Sequence, residues 1–138
     1  MLPFEYVDSN IFIRYITLDE PLMAQRARAF FLKLDQGSAV AATTEAVLLE
    51  VVQVLSSRKL YNLSRSDIRQ YLAPLIRLPG LRIPFKTLYL DALDLYATSS
   101  LDFTDALLVI LTQRGGTNIV VSFDQDFDKV PGVARQAP

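Results

Sequence analysis

Apolar residues recur along the chain in short blocks, and their spacing alternates between the period of a strand and that of a helix. Blocks that predict strands lie at Glu5–Val7, Ser38–Ala42, Leu81–Pro84 and Asn118–Phe123, the last as a buried strand. Blocks that predict helices lie at Asn10–Thr17, Pro21–Leu34, Thr44–Ser57, Ser64–Arg77, Thr87–Ala97 and Thr104–Arg114. Residues 124–138 predict a turn and a small final strand.

Residues with strong positional preferences mark the helix ends. Pro21 suits the first turn of a helix, and Gly37 suits the position after its end. Thr44 and Ser64 are predicted N-caps. Pro74 either kinks its helix or ends it early.

Strands that alternate with helices predict an α/β fold. Such alternation implies right-handed crossovers and a mostly parallel sheet with helices on both faces. The chain has 138 residues and shows no linker or repeat, so we predict a single domain over residues 1–138. In this class ligands bind beyond the carboxyl ends of the strands.

Composition removes several kinds of chemistry. The chain has no Cys and no His, which excludes disulfides, thiol nucleophiles, His-dependent triads and thiolate or imidazole metal ligands. Catalysis is left to carboxylates, hydroxyls, Lys, Arg or a cation held by oxygen. No apolar run reaches the roughly 18 residues of a membrane span, and the N-terminus does not resemble a signal peptide. We therefore expect a soluble, cytoplasmic protein.

Acidic residues follow the first and last predicted strands and open a helix. Asp8 follows the first strand and Asp124 follows Phe123, so both are expected at one edge of a parallel sheet. Asp105 lies in the first turn of its helix, with Asp102 as an N-cap or a further acid. Each position also has an ordinary explanation, because Asp is common in turns and is favoured by the helix dipole.

Glu50 lies within an apolar helical segment. Helical spacing predicts that Val47, Glu50, Val51 and Val54 share one face. A carboxylate on an apolar stripe needs a neutralising partner, unless it is a border residue whose head reaches water.

Converging carboxylates repel one another, and a bound cation relieves that repulsion. Two of them about 5 Å apart, at an effective dielectric near 20, cost roughly 3 kcal/mol. Oxygen-only ligands select Mg²⁺ or Mn²⁺, which bind phosphate and acidify water. The pattern therefore favours phosphodiester hydrolysis without histidine.

Four segments, in order, resemble motifs of the PIN-domain family, and specifically its VapC-type toxins. The segment 6–15 (YVDSNIFIRY) resembles the opening strand and turn, and 44–52 (TEAVLLEVV) resembles the helix with the family's Glu. The segments 101–107 (LDFTDAL) and 120–127 (VVSFDQDF) resemble the third and fourth acidic motifs.

The resemblance implies a three-layer α/β/α sandwich with a mostly parallel sheet and an Mg²⁺- or Mn²⁺-dependent endoribonuclease. It also implies a homodimer and a cognate antitoxin protein as partner. The implied catalytic and metal-binding acids are Asp8, Glu50, Asp105 and Asp124. The implied supporting or additional groups are Asn10, Asp102, Ser122 and Asp126.

Two other α/β protein classes fit these residues less well. A haloacid-dehalogenase phosphatase needs Asp-x-Asp after its first strand, but Asp8 is followed by Ser9 and Asn10. A response-regulator receiver needs Lys after its last strand, where this chain has Asp124. An inactive PIN-like scaffold that binds protein or RNA remains the alternative. The candidate phosphate contacts are Arg14, Arg58, Lys59 and Arg114. Surface cations of this kind are also commonly found in solvent without a ligand.

Overall fold

A computed structural model of the chain describes residues 4–138, which form two units, residues 4–86 and Thr87–Pro138. The elements of the first unit are, in order, β1 (Glu5–Tyr6), α1 (Ser9–Thr17), α2 (Pro21–Gln36), β2 (Ala41–Ala42), α3 (Glu45–Ser56), α4 (Arg65–Ile76) and β3 (Leu81–Arg82). Helix α5 (Lys86–Thr98) begins at the boundary, followed by α6 (Phe103–Arg114), β4 (Ile119–Val121), a 3-10 helix (Gln125–Lys129) and β5 (Ala134–Gln136).

The strands of the first unit form a parallel sheet in the order β1-β2-β3. The backbone pairing continues past the short strands. The N–H of Val7 donates to the carbonyl of Ala42 at 2.8 Å, and the N–H of Thr43 donates to the carbonyl of Arg82 at 3.0 Å. The carboxyl ends of the three strands therefore lie along one edge, from which Asp8 follows.

The predicted helix ends are largely confirmed. Pro21 occupies the first turn of α2, and Gly37 ends it in the left-handed region with φ of 74°. Thr44 and Ser64 cap α3 and α4, each accepting a first-turn backbone N–H, at 3.2 and 3.1 Å. Pro74 lies inside α4, which continues to residue 76.

The core of the first unit is built from helix faces. The ring of Phe31 lies 5.3 Å from that of Phe12 and 5.2 Å from that of Tyr15, which joins α2 to α1. Burial of such aromatic side chains, with their tilted and edge-on contacts, supplies much of the stabilisation. The largest side chains that are fully buried in this unit are Phe12, Leu34, Leu48, Val51, Leu55, Ile68, Leu72, Ile76 and Leu81.

Gly80 permits the close approach of β3 to the end of α2. A Cβ built at this position would overlap the carbonyl oxygen of Ala39 and lie 2.8 Å from the Cα of Leu34. The N–H of Gly80 also donates to the carbonyl of Leu34 at 2.9 Å. Any larger residue would therefore push β3 away from the helix.

The second unit packs its helices and its two parallel strands around a small apolar cluster. Strand β4 pairs with β5 in the register Ile119↔Ala134 to Val121↔Gln136. The rings of Tyr96 and Phe103 meet edge-on, with centroids 6.1 Å apart. The cluster consists of Leu101, Val109, Val120, Phe127 and Val130, with Leu95 and Val133 against it.

The prediction of a buried strand over Asn118–Phe123 is wrong in its burial. The strand is shorter, and Val120 is buried while Ile119 and Val121 are 41% and 62% exposed. The physical reason is the two-stranded sheet: only one face of β4 packs on the apolar cluster, so side chains alternate between core and solvent.

The predicted α/β class with a parallel sheet and helices is confirmed, since every strand pairing described is parallel. The prediction of one domain over residues 1–138 stays a prediction. None of the helices in the described range 4–138 is long and apolar enough to cross a membrane.

Candidate active site

Asp8 stands where β1 ends and α1 begins. Its Oδ1 accepts the backbone N–H of Ser9 at 2.7 Å, so the carboxylate caps the helix. Behind it, the buried hydroxyl of Thr43 donates to the carbonyl of Val7 at 3.1 Å, which ties the strand end to its neighbour. The exposed Asp8 carboxylate is thus held in a fixed orientation on a rigid edge.

A groove of about 620 Å³ runs beside Asp8, between β1, α1 and α2. Asp8 and Asn10 line it together, so the structure brings these two predicted site residues to one surface. Arg14 and Arg26 line the same groove, and the ring of Tyr6, 72% exposed, borders it. Apolar side chains, among them Met23 and Phe30, supply most of the remaining lining, so the carboxylate and the two cations are polar groups on a mainly apolar surface.

Arg14 is shared between this groove and a polar network at the end of α1. Its Nη1 donates to Oδ2 of Asp19 at 2.8 Å, while the Thr17 hydroxyl donates to Oδ1 at 2.9 Å. The hydroxyl of Tyr61 also donates to Oδ2. That bond, helped by those from Thr17 and Arg14, lowers the pKa of Asp19 to about 2. The network fixes Arg14 and offsets part of its charge.

Glu50 does not lie on the buried stripe of α3, so that expectation is wrong. With 100° per residue, it stands roughly 150° from the centre of the buried face and is exposed. The predicted face contains Val47 and Val54, which are only half-buried. The residues that α3 buries are Leu48, Val51, Val52 and Leu55. Glu50 therefore presents its carboxylate to solvent without a desolvation penalty.

The other predicted phosphate contacts differ in their surroundings. Arg58 and Lys59 are exposed in the turn after α3. In the second unit, Nη2 of Arg114 donates to Oδ2 of Asp91 at 2.7 Å and to Oγ1 of Thr87 at 3.1 Å, which joins α6 to α5. Arg114 therefore has a structural role.

Asp102 and Asp105 lie together at the start of α6. Asp102 is the N-cap, because its Oδ1 accepts the N–H of Asp105 at 2.8 Å. Asp105 is half-buried, and burial is the largest cause of its raised pKa. The negative charges of Asp102, Asp124 and Asp126 raise it further. The second unit thus gathers four carboxylates within electrostatic reach of each other.

A turn with its own hydrogen bonds carries Asp124 after β4. The N–H of Asp124 donates to the hydroxyl of Ser122 at 2.9 Å, and Oδ1 of Asp124 accepts the N–H of Asp126 at 2.9 Å. Asp126 is also paired with Lys129 at 3.3 Å. Phe127, which is 2% exposed, anchors the following 3-10 helix in the core. These contacts leave Asp124 exposed but oriented.

The acids around Asp105 offer the oxygen donors that a hard divalent cation prefers. Within the described part of the chain, no three or more His, Cys, Asp or Glu side chains are arranged so that they could hold a metal ion. Mg²⁺, however, commonly keeps several waters and binds through one or two carboxylates, so a ready-made cage is not required. A cation there would relieve the repulsion that raises the pKa of Asp105.

The structure therefore brings the predicted acids together in part. Asp8 shares a groove with Asn10 in the first unit, and Asp105 and Asp124 are electrostatically coupled in the second. The convergence of all four acids, with Glu50, stays a prediction. Sequence reasoning missed several polar residues around the site: Asp19, Arg26, Tyr61 and Arg135. The sequence carries no signal for them, because their partners are distant in the chain or because they lie on a helix face outside any recognised motif.

Comparison with known proteins adds one positive finding. A family model described as PIN domain matches residues 6–133. No curated protein matches the chain. The match includes each of the four acidic segments and is in keeping with the α/β fold.

Proposed function

This chain belongs to the PIN-domain family, and from that premise we propose that it is a divalent-metal-dependent endoribonuclease that hydrolyses RNA phosphodiester bonds. The family supports a nuclease fold, and its nucleases typically use divalent metals. The observation that carries the proposal for this chain is the electrostatic coupling of Asp105 to Asp102, Asp124 and Asp126. Mutually repelling carboxylates are expected where a cation and a phosphate are to be bound.

Under this proposal, Mg²⁺ or Mn²⁺ is held by Asp8, Glu50, Asp105 and Asp124. When bound, the ion neutralises phosphate charge and acidifies water. Burial and the neighbouring acids raise the pKa of Asp105 in the metal-free protein, so a cation held at this carboxylate would relieve repulsion.

The remaining polar groups orient the acids or extend the site. Ser122 holds the N–H of Asp124, and Asp102 holds that of Asp105. Asn10, beside Asp8 in the groove, is proposed to contact the substrate. Asp126 is proposed as an additional acid that Lys129 partly neutralises. Ser122 and Asp102 thereby fix the backbone from which the Asp124 and Asp105 carboxylates project, and such preorganisation favours electrostatic catalysis.

We further propose that the protein is the toxin of a VapBC-type toxin–antitoxin pair and acts in the cytoplasm as a homodimer and a single domain over residues 1–138. The sequence motifs support this assignment. An antitoxin segment that places an Arg among the acids would form charge-assisted hydrogen bonds and displace the metal.

The experiment that tests the nuclease proposal is cleavage of single-stranded and structured RNA by the purified chain. We expect cleavage with Mg²⁺ or Mn²⁺ and none in excess EDTA. Asp105→Asn is expected to be inactive. The matched control is Asp67→Asn, because Asp67 occupies the same position in the first turn of α4 and its N–H likewise donates to the cap.

Two results would contradict the proposal. Full activity in excess chelator would exclude the metal-dependent mechanism. Absence of both Mn²⁺ binding and RNA cleavage in the wild-type protein would favour the alternative, an inactive PIN-like scaffold that binds protein or RNA.

A further inference from the structure

The last strand of the chain carries an arginine that is unusually enclosed for its position. Arg135 lies in β5 opposite Val120 of β4, and its side chain is 19% exposed. Its Nε donates to Oδ1 of Asp128 at 3.0 Å, and its Nη1 donates to the carbonyl oxygen of Ser122 at 3.2 Å. One guanidinium therefore binds two separate points of the chain.

These two points enclose the turn that carries Asp124. Ser122 follows the end of β4, and Asp128 lies in the 3-10 helix. Between them, Asp124 donates its N–H to the Ser122 hydroxyl and accepts that of Asp126 on its carboxylate. The N–H of Ser122 also donates to the carbonyl of Gln136 at 2.9 Å, which holds this end of the turn to β5. We therefore expect the orientation of the Asp124 carboxylate to depend on the separation between Ser122 and the 3-10 helix.

The guanidinium is suited to fix that separation. Its donors project in a rigid plane, so two of them on different partners define a distance that a flexible ammonium group does not. Its charge is also paired with Asp128, at 3.0 Å, the last of the three acids in the segment Asp124, Asp126 and Asp128. An ordinary exposed ion pair would contribute little to either effect.

We propose that Arg135 is a positioning residue that sets the orientation of the Asp124 carboxylate. The inference rests on the proposed function only where it links this orientation to metal binding. Arg135 itself is given no contact with metal or substrate. Its effect passes through Ser122 and Asp128 to the turn.

The first test measures orientation in the metal-free protein, without reference to activity. Hydrogen exchange of the Asp124 and Asp126 amides, followed by NMR, reports the two bonds within the turn. We expect both amides to exchange faster in Arg135→Gln than in wild type. The matched control is Arg82→Gln, which also removes a guanidinium bond to a backbone carbonyl, that of Pro79 at 3.1 Å. Unchanged exchange in Arg135→Gln would overturn the inference.

The second test measures Mn²⁺ affinity by calorimetry, together with kcat and KM for RNA. Loss of a group that orients a metal ligand typically weakens metal affinity or activity about 10–100-fold, and we expect Arg135→Gln to fall in that range with an unchanged KM. Added guanidinium at millimolar concentration should restore part of the affinity to Arg135→Ala. The inference would be overturned if Asp124→Asn loses Mn²⁺ binding while Arg135→Gln keeps the Mn²⁺ affinity of wild type.

The two tests separate the inference from the proposed function. If wild type neither binds Mn²⁺ nor cuts RNA, the nuclease proposal fails, and the exchange rates still decide whether Arg135 orients Asp124. If Arg135→Gln does not fold, two milder variants replace it. Arg135→Lys keeps the charge but loses the rigid fork, and Asp128→Asn weakens one contact while Arg135 stays in place. Both should speed exchange at Asp126, and failure of both to do so counts against the inference.

Discussion

Replacing Asp105 by Asn separates a metal-binding acid from an ordinary helix-start acid. The change is nearly isosteric, removes one charge, and keeps the backbone N–H that donates to the Asp102 cap. Two effects then compete in the metal-free protein. Loss of a carboxylate from the first turn costs about 0.3–1 kcal/mol through the helix dipole. Relief of burial and of repulsion by Asp102, Asp124 and Asp126 acts in the opposite direction.

We expect the repulsion to be the larger of the two effects. Two carboxylates about 8 Å apart, at an effective dielectric near 20, repel by roughly 2 kcal/mol. At physiological salt the Debye length is also about 8 Å, which reduces each pair to roughly 0.7 kcal/mol. Asp102 and Asp124 together give about 1.4 kcal/mol, and Asp126 adds less because Lys129 pairs with it, so we expect Asp105→Asn to be more stable by up to about 1 kcal/mol, or at most roughly 4 °C in Tm.

The sign of the pH dependence follows from the raised pKa of Asp105. The ionised carboxylate destabilises the folded state, so the advantage of Asp105→Asn is fully present above the raised folded pKa. It is lost as pH falls through that pKa and is absent below the ordinary value of 3.8. An Asp stabilised by a helix dipole would show the opposite trend.

The assay is thermal unfolding in EDTA and in a Mg²⁺ series, with Asp67→Asn as the control. Mg²⁺ at ten times its Kd should stabilise wild type by on the order of 1.4 kcal/mol, and this gain should shrink in Asp105→Asn. Asp67→Asn should lose about 0.3–1 kcal/mol and keep the full response to Mg²⁺. If Asp105→Asn is destabilised in EDTA and gains as much from Mg²⁺ as wild type, Asp105 is not a ligand.

Three further predictions concern acid titration, toxicity and assembly. Asp19 should titrate near its pKa of about 2 by NMR, and Tyr61→Phe should raise that pKa. Because this network is exposed, the stability that Asp19 contributes is below about 1 kcal/mol. It is present above pH 3.8 and is lost as pH falls toward 2. A measured pKa near 3.8 for Asp19 would contradict the network. Expression of the chain alone should slow bacterial growth. Asp8→Asn should relieve this inhibition, and Asn still serves as an N-cap of α1. Equal inhibition by wild type and Asp8→Asn would show that toxicity does not depend on the Asp8 carboxylate. Light scattering at micromolar concentration should show a dimer, and this dimer should lose Mn²⁺ binding when an antitoxin is bound. A monomer would count against the proposed assembly, and so would a complex with undiminished metal binding.

Local signals in the sequence were strong enough to place most elements and several site residues. Thr44 and Ser64 marked helix starts because a hydroxyl that accepts a first-turn N–H is a short-range interaction. Asp8 was expected after a strand and is found at that place. The face that Glu50 shares with Val47 and Val54 was expected to be the buried one, but α3 buries a neighbouring face instead. A helix rich in Val and Leu offers two apolar stripes, and periodicity alone does not choose between them.

The sequence by itself determined the chemistry available to this protein: oxygen ligands without Cys or His, carboxylates after strands and at a helix start, and the motifs of one family. Tertiary structure decided what surrounds those groups. Burial, and then repulsion from acids up to 21 positions away in the chain, raised the pKa of Asp105, and Arg135 reached back to Ser122 and Asp128. The physical reason is range. Caps and turns are fixed by neighbours within a few residues, whereas desolvation, charge repulsion and the burial of β4 depend on which distant segments fold against them.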